Sequence, residues 1–297
     1  MTDQPVKICP VCGASEWKFV FAVQDHSISK EKFSLHECVR CSVRLTIDAP
    51  VKEKIGRYYK SADYISHTNT SQGVLNKLYQ WVRSWMLHQK RKLIESQVKS
   101  SSGSLLDYGS GAGAFVAYMQ KAGWKATGIE PDEDARSVAK QDFGVELLQE
   151  SALFSLAPAQ FDVITLWHVL EHVHDLQTTL TALKRLLKPS GLLLIAVPNY
   201  TSTDACFYGP AWAAYDVPRH LYHFSPASME VCMQKNQLSV KSMQPLWFDS
   251  FYVSLLSTRF LQGKTNYWQG VWQGIYSTMA TLRNTSRCSS LIYLITQ

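Results

Sequence analysis

Four cysteines near the start of the sequence stand in two CxxC pairs, a spacing that is typical of a metal site. Cys9 pairs with Cys12 and Cys38 pairs with Cys41, and the residues between the pairs are rich in β-formers. Zn²⁺ favours sulfur ligands and has no directional preference of its own, so two such turns can close a tetrahedral site. Because four protein ligands leave no open coordination position, the sequence predicts one structural zinc ion in a zinc ribbon. Redox-active cysteines, or His36 as a substitute ligand, are the alternatives.

A second group with chemical potential lies in the middle of the chain. His168, Glu171 and His172 are spaced i, i+3 and i+4, so on a helix they would share one face. The spacing resembles a metal site, but the sequence shows no further ligand to complete it. The favoured interpretation is a structural or substrate-lining role.

A glycine-rich motif follows a short apolar run and precedes a helical pattern. Its glycines are Gly109, Gly111 and Gly113, and Asp107 stands two residues before the first of them. Glycines at a strand-to-helix turn let a ligand approach the backbone at a helix N-terminus. Asp107 would repel a pyrophosphate but attract a cationic amino-acid group, and Glu130, after the next strand, is placed to accept two ribose hydroxyls. The motif also fits the GxGxxA dinucleotide fingerprint, so a nicotinamide oxidoreductase is an alternative.

The elements that must position these residues follow from the hydrophobic pattern. Nearly all-apolar strands alternate with helical segments, which predicts an α/β fold with a doubly wound, parallel, Rossmann-like sheet. The predicted elements are strand 105–107, helix 115–122, strand 124–129, helix 132–142, strand 145–149, strand 161–167, helix 176–187, strand 192–197, strand 238–248 and strand 290–296. An amphipathic helix is predicted ahead of them at 74–98.

The chain divides into three predicted segments. Residues 1–48 form the zinc ribbon, 49–100 a connector with the amphipathic helix, and 101–297 the α/β domain. Two insertions are predicted within that domain, at about 199–225 and about 249–287. The second insertion is rich in aromatic residues but contains cations, so it is not a membrane span. A cap over a substrate, peripheral contact with a membrane surface and a buried helix pair are the alternatives for it.

Composition argues against several classes of protein. The 30 Lys+Arg against 24 Asp+Glu give a net charge of +6 without clustered basic runs, so a nucleic-acid partner is not favoured. No stretch reaches the roughly 18 apolar residues of a membrane span, and the first residues lack the apolar core of a signal peptide. CxxC pairs that bind a metal are expected in a reducing compartment, so the sequence predicts a cytoplasmic protein. The sequence has no signal of oligomeric state.

Taken together, four segments resemble the successive motifs of class I S-adenosylmethionine-dependent methyltransferases, in the branch that includes the ubiquinone-biosynthesis O-methyltransferases. The segments are LLDYGSGAGAF, GIEPD, FDVITLWHVLEHVHD and LKPSGLLLIAVPN. This resemblance covers residues 72–245, roughly. With the cysteine pairs and the later YDVPRHLYHFSP, the chain is similar to bacterial methyltransferases of cell-envelope polysaccharide and secondary-metabolite gene clusters.

The resemblance implies a cofactor and the residues that hold it. Asp107 and the backbone of Gly109 to Gly113 would hold the methionine part of S-adenosylmethionine, and Glu130 would hold its ribose. Family members often end the third strand in Gly-Asp, whose Asp contacts the adenine amine. Glu150-Ser151 stands there in this chain, which makes Ser151 the candidate for that contact.

Histidines mark the predicted acceptor side. Trp167 and His168, just past the fourth strand, are implied by the resemblance to border the transferred methyl group. A hydroxyl acceptor needs a base for its proton, and histidine has an unperturbed pKa of about 6.5. We expect His220, ahead of His223, to be that base, with His168 as the competitor. Both His220 and His223 lie in a polar loop that follows the fifth strand, where ligands bind in open α/β sheets.

The predicted function is methyl transfer from S-adenosylmethionine to a hydroxyl of a small or carrier-linked acceptor, sugar-like or a secondary metabolite. The reaction is an in-line displacement at the sulfonium methyl group, so the protein mainly aligns the acceptor and removes its proton. The alternatives are an RNA base methyltransferase that binds RNA through the zinc ribbon, and a non-catalytic zinc-ribbon interaction module.

Overall fold

The structure is a computed structural model that describes residues 8–59 and 74–297, with the side chains of 74–81 left out. Part of the predicted connector therefore lies outside the described residues. The chain forms two compact units. The unit named here the ribbon unit comprises the described residues 8–59, 168–180 and 195–295. The other, named the glycine-motif unit, comprises the described residues 74–167, 181–194 and 296–297.

Strands and helices alternate through most of the chain. The strands are β1 Trp17–Gln24, β2 Lys32–Cys38, β3 Arg44–Thr46, β4 Ser104–Tyr108, β5 Lys125–Ile129, β6 Phe161–Trp167, β7 Leu187–Pro198, β8 Tyr222–His223, β9 Ser239–Pro245 and β10 Ser290–Thr296. The α-helices are α1 Lys52–Ile55, α2 Val74–Val98, α3 Ala114–Lys121, α4 Glu133–Phe143, α5 Ala152–Ser155, α6 Leu176–Leu186, α7 Thr203–Tyr208, α8 Pro226–Lys235, α9 Asp249–Gln262 and α10 Tyr267–Arg283. A short 3₁₀ helix spans Leu170–His172.

A six-stranded sheet has the strand order β5-β4-β6-β7-β10-β9. Its strand β4 pairs in parallel with β5 on one side and with β6 on the other. The strands are mostly buried, as expected when helices cover a parallel sheet. The predicted α/β, Rossmann-like fold is confirmed, and so are the helix at 74–98 and the last strand at 290–296.

Three predicted features differ in the structure. The strand predicted at 145–149 is reduced to one parallel bridge between Leu148 and Ile129, because Gly144 ends α4 and α5 begins soon after. The strand predicted at 192–197 is longer and begins at Leu187. His168 does not share a regular helical face with Glu171, since its backbone is left-handed (φ 57°) and the helix begins only at Leu170.

The sheet of the ribbon unit includes residues from far along the chain. Strand order is β1-β2-β3-β8, all antiparallel, and Leu45 of β3 pairs with Tyr222 of β8. Part of the polar loop predicted at 199–225 is therefore a strand. Buried aromatic residues of both segments, such as Phe33, Tyr58 and Trp212, share one hydrophobic cluster.

A buried ion network joins the same segments. Arg219, whose side chain is 3% exposed, lies 3.1 Å from the buried carboxylate of Asp25 and also bonds the partly buried carboxylate of Asp216 at 2.9 Å through its Nε. Its Nη1 donates to the backbone carbonyl of Tyr58 at 2.9 Å. Burial opposes ionisation of both carboxyls, but hydrogen bonds and the charge of Arg219 hold the pKa of Asp25 and of Asp216 below their usual values. Arg219 is thus a packing residue of this loop.

Helices α9 and α10 form a pair at the end of the ribbon unit. The inner side of α10 consists of small and polar residues, and a Cβ added at Gly270 would lie 2.7 Å from Leu255 of α9. The outer side is apolar and exposed, so the helix pair is buried on its inner side only. Across the described residues, every helix is too short or too polar to traverse a lipid bilayer.

We predict that Arg219→Met lowers the free energy of unfolding by about 3–5 kcal/mol, because it leaves two acidic groups facing each other without their cation. This loss of stability should become smaller as the pH falls. Carboxyls with lowered pKa values stabilise the fold above their unfolded pKa, and they lose that contribution when they are protonated. Chemical denaturation measures both effects. Arg40→Met, at an exposed position of the ribbon, is the matched control. Equal stability of the two variants at neutral pH would contradict the prediction.

Candidate functional site

The glycine turn between β4 and α3 is open to a ligand. Gly109, Gly111 and Gly113 all have left-handed backbones, with φ of 78°, 52° and 75°, which side chains rarely adopt. At Gly113 an added Cβ would also lie 2.7 Å from the Cβ of Ala139. No side chain caps the N-terminus of α3, which leaves its first backbone N–H groups available to a bound ligand.

Two acidic side chains flank this turn in the glycine-motif unit. Asp107 is buried and accepts a hydrogen bond from Thr165 Oγ1 at 2.6 Å. Glu130 accepts one from the backbone N–H of Gly111 at 2.7 Å, so it touches the turn directly. Burial raises the pKa of Asp107 to about 6, and burial also raises the pKa of Glu130. Because burial makes these two side chains difficult to ionise without a partner, each is suited to a ligand that supplies a cation or hydroxyl donors.

Two other predicted cofactor residues lie in the same unit. Trp167 ends β6, makes an edge contact with Phe115 and carries Lys90 Nζ 4.3 Å from its ring centroid. Its indole N–H is buried without a hydrogen-bond partner among the described residues. Ser151 precedes α5 and its side chain makes no capping bond there. Sequence reasoning missed Thr165 and Lys90. The only signal for Thr165 in the sequence is that it is the single threonine within the mostly apolar run FDVITLW.

The four cysteines come together as predicted. Cys9 Sγ lies 3.6 Å from Cys41 Sγ, and Cys12 Sγ lies 3.5 Å from Cys38 Sγ, with all four sulfurs within 4.8 Å of one another. These distances exceed the ~2.05 Å of a disulfide and suit the edges of a tetrahedron with Zn–S bonds of ~2.3 Å. A hydrogen bond from Cys41 lowers the pKa of Cys9 to about 5, and the same contact raises the pKa of Cys41, so a thiolate at Cys9 faces a thiol at Cys41.

The turns after the two CxxC pairs are alike. Gly13 follows the first pair with φ 80°, and Ser42 follows the second with φ 58°. Ser42 thus adopts the conformation for which glycine is common at this place. Each turn is closed by a backbone bond to its first cysteine, from Gly13 to Cys9 and from Ser42 to Cys38.

The histidines of the ribbon unit surround one buried carboxylate. Glu171 is fully buried, and neither of its oxygens has a hydrogen-bond partner among the described residues. His168 Nδ1 lies 3.4 Å from Glu171 Oε1, and His168 Nε2 lies 3.7 Å from Asp249 Oδ2. Ligand atoms of Glu171, His172 and His220 lie within 4.8 Å of one another. His220 is the further group that the sequence did not show beside Glu171 and His172.

Backbone carbonyls orient two of these imidazoles. His172 Nδ1 lies 3.0 Å from the carbonyl of Arg219, and His220 Nδ1 lies 2.9 Å from the carbonyl of Ala214. A carbonyl only accepts, so these contacts favour the tautomer with the proton on Nδ1 and the lone pair on Nε2. His172 Nδ1 has a second neighbour in the hydroxyl of Tyr59, at 3.0 Å. Burial and then the charge of His220 lower the pKa of His172 to about 4. Both rings are therefore held in the tautomer that presents Nε2 to a ligand.

His223 stands apart from this group. Its Nε2 lies 3.1 Å from Thr46 Oγ1, and the ring is buried inside the ribbon sheet as part of β8. Burial holds the pKa of His223 well below its usual value. Because its ring is buried in this packing, His223 is the weakest of the three predicted candidates for a base.

Comparison with known proteins agrees with this geometry. The model of a methyltransferase-domain family matches residues 82–242, which is more than half of the chain. The chain belongs to this methyltransferase family. It is 27% identical over 169 residues to the ubiquinone biosynthesis O-methyltransferase of Stutzerimonas stutzeri, a match that covers 52% of the chain and 73% of that relative. The corresponding enzyme of Pseudomonas putida is 34% identical over 113 residues, covering 36% of the chain and 49% of the relative.

A solved structure supports the fold of the methyltransferase. Magnesium protoporphyrin IX methyltransferase of Synechocystis, with bound SAH, has a TM-score of 0.53 at 12% identity and covers 82% of the chain and 99% of its own. The predicted class is confirmed: the protein is a class I S-adenosylmethionine-dependent methyltransferase. The nicotinamide oxidoreductase and the non-catalytic module are thereby set aside.

We predict that affinity for S-adenosylmethionine falls about tenfold per pH unit below pH 6, if Asp107 binds the cationic amino group. In the cofactor-free protein, the raised pKa of Asp107 means that the fold favours the protonated carboxyl. Its contribution to the free energy of unfolding is full below pH 3.8 and is lost as the pH rises through about 6. Bound cofactor should instead stabilise the ionised carboxylate, so that its effect on stability grows as the pH rises. Calorimetric titration across this range measures the affinity.

Asp107→Asn should weaken binding and flatten its pH profile, whereas Glu133→Gln, at an exposed position of α4, should leave both unchanged. An Asp107→Asn variant with the parental pH profile would show that another group titrates.

Proposed function

We propose that the enzyme methylates a hydroxyl group of a small or carrier-linked acceptor, sugar-like or a secondary metabolite. The names of its relatives, which are O-methyltransferases, support oxygen as the acceptor atom. In the reaction an O–CH₃ bond forms while the S–CH₃ bond breaks, and the bonding electrons stay on sulfur. The hydroxyl proton goes to a base of the protein. A lipid carrier would bring the enzyme to a membrane surface.

In this proposal the glycine-motif unit binds the cofactor. Asp107 and the backbone of Gly109 to Gly113 hold the methionine part, and Glu130 accepts the ribose hydroxyls. Support comes from the buried carboxylate of Asp107, the half-buried carboxylate of Glu130 and the turn beside them, whose helix has no side-chain cap. Trp167 and Ser151 are proposed to contact the rest of the cofactor, with the rigid indole of Trp167 near the methyl group.

The accessible imidazole beside Glu171 is the observation on which we base the catalytic role. The His168 side chain is 34% exposed, whereas that of His220 is 10% exposed and that of His223 is buried. His168 has a left-handed backbone, and such strained residues cluster at active sites. His168 Nδ1 lies 3.4 Å from Glu171 Oε1, and its Nε2, which lies 3.7 Å from Asp249 Oδ2, is proposed to accept the hydroxyl proton. The proposed base is thus His168, which was the competitor of His220 in the sequence-based prediction.

A structural zinc ion on the four cysteines is part of the proposal. The Sγ distances fit a closed tetrahedral site, so the ion would fix the ends of β2 and the turn into β3. Strand β3 in turn pairs with β8, two residues after His220. Thiolates that are not joined as disulfides agree with the reducing cytoplasm expected from the sequence.

We predict that His168→Ala lowers kcat by about 10²- to 10⁴-fold, the usual span for a lost acid–base group, with little change in cofactor affinity. The acceptor is first identified by incubating the enzyme with methyl-labelled cofactor and metabolite extracts and following the label by mass spectrometry. His88→Ala, at an exposed histidine of α2, is the matched control. Near-parental turnover of His168→Ala would remove the role from this residue, and a label found only on nitrogen or carbon would overturn the hydroxyl acceptor.

A further inference from the structure

The buried Glu171 carboxylate is surrounded by imidazoles of His168, His172 and His220. Both of its oxygens are buried without a hydrogen bond among the described residues, although a buried carboxylate normally accepts several. Backbone carbonyls contact Nδ1 of His172 and of His220, which favours the tautomer whose Nε2 carries a lone pair and no proton. Burial opposes ionisation of Glu171, but the surrounding histidines hold its pKa below the usual value, so the carboxylate form is favoured. A cation bound between the three side chains would stabilise that carboxylate further.

The arrangement has the features of a transition-metal site. Two histidine nitrogens and one carboxylate oxygen lie within 4.8 Å of one another, close enough to share one ion. In metal sites the second ring nitrogen of a ligating histidine usually donates to a carbonyl or carboxylate, as both rings do here. Three protein ligands leave coordination positions open for a substrate, unlike the four cysteines.

We propose that Glu171, His172 and His220 bind a divalent transition-metal ion. The ion takes one carboxylate oxygen and the two Nε2 atoms, and its open position accepts the hydroxyl oxygen of the acceptor. A metal-bound hydroxyl has a lowered pKa, so its proton passes more readily to His168. That role rests on the proposed hydroxyl acceptor, whereas metal binding itself does not.

Mn²⁺ is the probe for this site, because the thiolates of the ribbon disfavour it while nitrogen and oxygen ligands accept it. Zinc-loaded protein is titrated with Mn²⁺ by calorimetry, and thermal unfolding is followed with and without the ion. We expect one Mn²⁺ per chain and a rise in Tm on binding. Glu171→Gln and His220→Asn should each weaken binding by about 100-fold or more, while Glu230→Gln, at an exposed position of α8, should not.

The difference in stabilisation by the ion would be the sharpest support. Mn²⁺ should raise the Tm of the parent clearly and that of Glu171→Gln little, because the variant lacks the carboxylate ligand. No Mn²⁺ binding to the parent beyond the cysteine site, or parental affinity in both variants, would overturn the proposal. These measurements need no acceptor, so their failure leaves the proposed methyl transfer untouched. Elemental analysis of the same samples tests the zinc site separately.

An independent observation concerns the outer face of α10. Its large apolar side chains recur at helical spacing and are exposed. The exposed fraction is 90% for Trp268, 73% for Trp272 and 71% for Leu282. The opposite side packs closely on α9 through small residues, and a Cβ at Gly274 would lie 2.5 Å from Phe251. The helix therefore presents its aromatic side outward. Phe248 and Tyr252, at the start of α9, are also exposed aromatic residues.

The charges of α10 and its flanking residues favour an anionic partner. Residues 250–297 contain no Asp or Glu, and Asp249, at the start of α9, accepts a hydrogen bond from Ser290. The four cations of this segment are exposed, and they are Arg259, Lys264, Arg283 and Arg287. Trp and Tyr favour the headgroup region of a bilayer, and nearby Lys and Arg add attraction to anionic lipids. We infer that the outer face of α10 binds the surface of an anionic membrane, lying in the interface plane.

Vesicle sedimentation tests this surface. Phosphatidylcholine vesicles with phosphatidylglycerol should bind the protein, and vesicles of phosphatidylcholine alone should bind it less. A Trp268→Ser, Trp272→Ser double variant should bind about tenfold or more weakly, because it removes two interfacial anchors. The control is a Phe19→Ser, Phe154→Ser variant, which changes two exposed aromatic residues elsewhere. Unchanged thermal unfolding would show that the double variant is folded.

Two outcomes would overturn the membrane proposal. One is equal sedimentation of the parent and the tryptophan variant. The other is a stable dimer by light scattering that the tryptophan substitutions dissociate, with no vesicle binding by the parent. In that case a second copy of the chain covers the face.

Discussion

The buried guanidinium of Arg219 is the interaction on which the arrangement of the ribbon unit depends. Its partners come from three separate parts of the chain, through Asp25, Tyr58 and Asp216. The same residue offers its carbonyl to His172 and directly precedes His220. A charge with several fixed partners in a dry site has one geometry in which all are satisfied. That geometry also sets the two imidazoles beside Glu171.

Two buried carboxylates show how different surroundings prepare different chemistry. Asp107 has a hydroxyl donor in Thr165 and lies beside an open glycine turn, so a ligand can complete its environment. Glu171 accepts no hydrogen bond within the described part of the chain and is surrounded by imidazoles. The first surroundings suit the cationic part of an organic cofactor, and the second suit an ion. Burial acts on both, and only the neighbouring groups distinguish them.

The ribbon is joined to later segments of its unit by more than one kind of contact. Strand β8 completes its sheet, a shared hydrophobic cluster packs beneath it, and the carbonyl of Pro10 accepts a hydrogen bond from Gln177. Thr46 of β3 donates to the carbonyl of His220. An ion bound by the cysteines would therefore stabilise the segment that contains the histidines, although it lies outside their cluster. In the proposed function such an ion would help to hold the acceptor-side histidines in place.

The sequence by itself determined the α/β fold, the cysteine site and the glycine turn, because these depend on hydrophobic periodicity and on spacings of a few residues. It did not determine that His220 meets Glu171, that Tyr222 and His223 form a strand of the ribbon sheet, or that Arg219 is buried. Those features depend on contacts between residues far apart in the chain, for which local pattern has no signal. The outward aromatic face of α10 was also decided by tertiary structure. Periodicity identifies the two faces of a helix, whereas only packing, here of Gly270 and Gly274 against α9, decides which one is covered.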